Sequence, residues 1–153
     1  MRNKKWVLEH RGGSLKIEQQ KQLMKWALDC VNHLLPLLHN NINEKIINAI
    51  HTGNDWIIGK AKTGDAINAS REIIKYVKTL NNELEIAVTR AAGHAVATAH
   101  MADHAMGPVY YGLKAIKING GSTDSELNWQ LEQIPGEIKE LVINGLKNKG
   151  LIK

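Results

Sequence analysis

Between Asn82 and Gly107 the chain carries small and apolar residues at helical spacing with no proline, so this stretch can bury itself only as a helix packed on more than one side. Asn82 stands where an N-cap belongs, with Glu85 three residues later as in a capping box, and Gly107-Pro108 breaks the pattern after about six turns. Alanines at 91, 92, 95, 97, 99, 102 and 105 keep the stretch thin, which lets neighbouring helices approach closely. The spacing predicts a long central helix around 83–106. On it Arg90, His94, Ala97, Met101 and His104 share one stripe, with His100 on the flank one turn before His104.

The segments around it read the same way. Ser14 is placed to cap a first helix whose apolar positions Leu15, Leu23, Trp26, Leu28, Cys30, Leu34 and Leu35 fall mostly in threes and fours, and Pro36 bends or ends it. Asn43 opens a second helix with Ile46, Ile47, Ile50, Trp56 and Ile57 on its apolar side. Thr63 or Gly64 opens a third that runs to about Leu80. Pro108 suits the first turn of a fifth helix ending at Asn119-Gly120-Gly121, and two further helices are expected over 125–134 and from Pro135 to about Lys149. No segment alternates with period two. The expected class is therefore all-α, a single-domain bundle of six to seven helices, with a basic arm over residues 1–13 and one domain over 14–153.

At 153 residues the chain can bury a core without staples, and its single cysteine, Cys30, sits in an apolar helical pattern where no second thiol can pair with it. With no signal-peptide pattern, this leads to the expectation of a reducing cytoplasm. No apolar run has the roughly 18 to 20 residues needed to span a bilayer, so no membrane partner is expected. The formal net charge is +5, and residues 1–25, with seven Lys and Arg against two Glu, account for all of it. High basicity is thus a property of the arm and first helix. Aromatic and arginine interleaving of the kind that grips nucleic acid is missing, which makes nucleic acid an unfavoured partner.

Arg90, His94, His100 and His104 are the residues through which this chain could do chemistry or specific binding. His100 and His104, at i and i+4, could converge on one ion from adjacent turns, but no glutamate or cysteine pair completes a zinc motif. Arg90 and His94 share the same spacing. With His104 they could form a buried polar network that donates to carboxylates or carbonyls of a neighbouring helix. No nucleophile, carboxylate pair or phosphate loop accompanies them. Neither GxGxxG nor GxxxxGK occurs, so no catalytic residue and no cofactor is assigned.

Four stretches in order carry a resemblance: KWALDCVNHLLPLL (25–38), DW (55–56), RAAGHAVATAHMADHAMGPVYYGLKAI (90–116) and NWQLEQIPGEI (128–138). Over roughly residues 15–140 the chain resembles the five-like class of bacterial immunity proteins of polymorphic toxin systems, small all-α proteins. Trp26, Asp29, Cys30, Pro36, Trp56, Arg90, His100, His104, Lys114, Trp129 and Pro135 match its pattern. His94 stands where the class has a glutamine, which speaks against a three-histidine metal site, because an amide is a poor zinc ligand. The resemblance implies a non-catalytic protein that neutralises a cognate protein toxin in the cytoplasm by occlusion. The charge pattern, taken with that resemblance, makes a strongly basic nuclease an unexpected target, since this chain offers little acidic surface unless Glu132, Glu137 and Glu140 gather into a local patch. Two alternatives stay open: a metal-binding helical protein, or hydrolase, using His100 and His104, and a nucleic-acid-associated module using the basic arm. A homo-oligomer is compatible with the scattered tryptophans.

Overall fold

The computed structural model describes residues 2–153, so Met1 of the arm lies outside the described residues. Seven α-helices follow in order: α1 Ile17–Leu34, α2 Glu44–Ile57, α3 Thr63–Val77, α4 Glu83–Ala97, α5 Gly107–Ile118, α6 Thr123–Glu132 and α7 Gly136–Asn148. The described residues contain no strand; one isolated bridge joins Leu8 to Leu15. The all-α expectation and the helix count hold. Among the described residues no helix is long and apolar enough to cross a membrane.

Local chemistry sets most boundaries. The Asn43 side chain accepts from Lys45 N and the Asn82 side chain from Glu85 N, satisfying amides that a helix start leaves free. Ser14 does not cap α1. Lys16 takes the N-cap position, and the Gln19 side chain accepts from its backbone N–H. Pro36 ends α1 at Leu34, and Leu35–Leu38 continue as a tighter 3-10 turn.

The helix α4 lies at the centre, packed against α1, α2, α3 and α5. Its small residues are buried around most of its circumference: Ala87, Ala91, Ala92, Ala95 and Val96 are all inaccessible or nearly so. Tight contacts follow from glycines. A Cβ at Gly93 would lie 2.7 Å from Ile73 Cγ2 of α3, and one at Gly53 would lie 3.0 Å from Leu28 Cδ1 of α1. Leu23, Met24, Trp26, Leu28, Val31 and Leu34 of α1 fill the space beneath. The first residues fold onto the same body: Trp6 is buried, reaching Gly145 of α7, and Arg2 Nη2 lies 3.1 Å from Asp103 Oδ1.

The expected continuous helix over 83–106 is corrected. Helix α4 stops at Ala97; residues 98–100 turn, Met101 is extended with φ −142°, and Ala102–Met106 form a 3-10 helix. The cause is a tertiary hydrogen bond. Buried Gln20 of α1 donates its Nε2 to Thr98 O at 2.8 Å and Ala99 O at 3.1 Å, the carbonyls an uninterrupted helix would have offered to residues 102 and 103. Contacts from another helix thus override the helix propensity of an alanine-rich segment.

Candidate functional site: a histidine cleft

The turn after Ala97 reverses the chain so that His104, on the 3-10 helix, comes back over His94. Their Nδ1 atoms lie 2.9 Å apart, and His100 faces His104 with ring centroids 5.8 Å apart. Gly107 makes this closure possible. It begins α5 directly against α4, and a Cβ there would lie 2.5 Å from His94 Cγ and closer still to its Cβ. One turn into α5, Tyr111 stacks obliquely beside His94 at 5.2 Å and lies under Arg90, whose Cζ is 5.9 Å from the ring centroid. Ile73, Ile74 and Val77 of α3 supply an apolar wall. Together these groups line a cleft of about 380 Å³.

All four residues singled out in the sequence therefore meet in one cleft. They do so by a different route from the one expected, because His100 and His104 are not successive turns of one helix but flank the chain reversal. The polar network does not donate to carboxylates of a neighbouring helix either. Its centre is the histidine–histidine contact itself.

Electrostatics fixes the charge state. Burial pushes His94 down to about 4, helped by His104, Arg90 and Lys149, while Asp103 acts the other way. Burial also lowers His100, with His104, Arg2, Arg71 and Arg11 adding to it. His104 is lowered chiefly by burial against the opposing pull of Asp103. Near pH 7 the three rings are neutral. A neutral Nδ1···Nδ1 hydrogen bond needs one donor and one acceptor, so the two partners hold opposite tautomers and one of the pair carries an Nε2–H. The buried Nδ1 of His100 has no partner within the protein. Among the described residues no group of three or more His, Cys, Asp or Glu is placed to hold a metal ion, and the Nδ1 atoms of His94 and His104 are already engaged with each other.

A second polar cluster escaped the sequence reading. Glu126 of α6, its side chain only 4 % exposed, lies 2.9 and 3.1 Å from His33 Nδ1 through its two oxygens, and it accepts from Gln130 Nε2 at 3.0 Å. Trp26 Nε1 donates to Gln130 O at 2.8 Å, while His33 stacks flat on Trp129, centroids 3.6 Å apart. The i, i+4 spacing of Glu126 and Gln130 was the available signal, though on a short helix it does not distinguish a solvated pair from a buried one. Cys30 is buried nearby, and burial, then Glu126, then Asp29 hold its thiol strongly protonated, which excludes it as a resting nucleophile.

Comparison with known proteins gives one family. The family model described as "Imm-5 like putative immunity protein" matches residues 13–137, well over half of the chain, and the match includes both polar clusters. No curated protein and no solved structure matches the chain.

Proposed function

The chain belongs to the Imm-5 like immunity protein family, and we propose that it neutralises a cognate bacterial protein toxin in the cytoplasm by binding it, with no chemistry of its own. Family membership is the observation that carries this reading. The geometry is in keeping with it. The Cys30 thiol is buried and protonated, so it is not poised to attack a substrate. We place the toxin contact at the histidine cleft, because there an apolar wall with Ile74 57 % exposed adjoins Arg90 and Tyr111, two residue types enriched in protein-binding hot spots.

The test is a titration of a purified toxin's activity with this protein, the toxin being one recovered as a specific complex with it. Binding predicts a linear fall that ends at one equivalent and does not deepen with incubation. Loss of toxin activity at a small fraction of an equivalent, progressing with time, would mean turnover and would overturn the non-catalytic reading.

A further inference from the structure

We infer that the histidine cleft receives an acidic group of the partner, a carboxylate-bearing side chain set beside an apolar one. The inference rests on the toxin-binding reading and adds the partner's chemistry to it. Arg90 and Lys78 line the cleft, no carboxylate does, and among the described residues neither cation takes part in an ion pair within the chain. Asp103, the acid nearest the histidines, already holds Arg2 at 3.1 Å. Further cations surround the site: Arg2, Arg11, Arg71 and Lys149 all disfavour protonation of one or more of the three rings. The lining of the cleft itself thus carries positive charge and no negative charge, the nearby carboxylates Asp103 and Glu83 standing outside it.

Its hydrogen-bonding capacity is also open. The His94–His104 pair has one Nε2–H to donate, while His100 Nδ1, buried and unpartnered, becomes available only if its ring turns toward the cleft. Ile73, Ile74 and Val77, with the Tyr111 ring, provide a hydrocarbon surface next to these polar groups. Two cations on an apolar wall suit a carboxylate with a hydrocarbon stem. The surrounding cations do not line the cleft, so a phosphodiester, usually met by several Lys, Arg and backbone amides at once, finds a poorer match than a carboxylate. A chain with formal charge +5 and an unneutralised cationic cleft attracts and orients an acidic protein surface.

The test uses 4-phenylbutyrate as the probe, followed by imidazole and isoleucine-methyl resonances of the intact protein at pH 7. Saturable shifts at His94, His100, His104 and Ile74 are expected. Arg90→Gln should weaken the probe about tenfold, the loss of one charge-assisted hydrogen bond, while Arg90→Lys should weaken it less. Arg90 is exposed on α4 and glutamine is a good helix former, so the variant keeps its fold, which circular dichroism checks. Equal binding of 4-phenylbutanol, tighter binding of inorganic phosphate, or unchanged affinity in Arg90→Gln would each overturn the carboxylate assignment. The titration contains no toxin, so its failure is distinct from a failure of toxin neutralisation.

Discussion

Gly107→Ala is the substitution on which the geometry of the cleft bears most sharply. The new methyl would lie 2.5 Å from His94 Cγ and nearer to its Cβ, where carbon atoms ordinarily rest about 3.5 to 4.0 Å apart. The nearest of these atoms, His94 Cβ, is fixed to the central helix, and no rotamer change can move it. The start of α5 must therefore retreat by on the order of 1 Å from α4, a forced overpacking that costs about 1 to 3 kcal/mol. Against this, alanine is favoured over glycine in a helix by about 1 kcal/mol, and less in the first turn. The clash wins, leaving a net loss of about 1 to 2 kcal/mol, or a fall in Tm of roughly 2 to 8 °C for a domain of this size. Gly136→Ala is the control: Gly136 also begins a helix, α7, but a Cβ there meets nothing within 4 Å, so a change between zero and about 1 kcal/mol of stabilisation is expected. Urea unfolding followed by tryptophan fluorescence measures both. If Gly107→Ala proves as stable as Gly136→Ala, α5 does not close on His94 as described.

Three further expectations follow from the same contacts. His94, His100 and His104 are all lowered in the folded state, so the unfolded chain binds more protons between about pH 6.5 and 4. Stability should be full above pH 6.5 and fall through that window on acidification. The groups facing His94 are Arg90, His104, Lys149 and Asp103, and His94→Gln should flatten the decline by roughly 1 to 2 kcal/mol after allowance for solvent screening, measured by unfolding at pH 7.5 and 4.5. Gln20→Met keeps the bulk but strips the donors from Thr98 O and Ala99 O. It should cost about 1 to 3 kcal/mol, and hydrogen exchange should detect altered protection over residues 98–104. Glu126→Ala removes the partner of both His33 and Gln130 and should cost about 2 to 3 kcal/mol in urea unfolding, well beyond an exposed control such as Glu137→Ala.

What was legible in the sequence is what local chemistry decides. Asn43, Asn82 and Pro108 mark helix starts because caps and a first-turn proline act within a few residues. The apolar spacing placed Trp26, Leu28, Cys30 and Ile46 inside. The end of α4 at Ala97 was not legible, because the local signal favours continuing the helix and the decisive hydrogen bonds come from Gln20, nearly eighty residues away. For the same reason the four cleft residues were identified while their arrangement was not. A stripe on one helix and a fold-back across a turn bring His94 and His104 together by different geometry, and only Gly107, which on a sequence reads as a breaker, permits the second. The His33–Glu126 cluster joins α1 to α6 across a long stretch of chain, and its residues individually look like surface polar groups.

The most direct measurement of where a toxin binds is hydrogen–deuterium exchange of this protein alone and in complex with the toxin it neutralises. A contact at the cleft predicts protection concentrated in residues 70–78 at the end of α3, residues 90–104 of α4 and the segment after it, and the Tyr111 region of α5. Protection confined to α6 and α7, or to the N-terminal arm, with the cleft peptides unchanged, would contradict the assignment of the histidine cleft as the binding face.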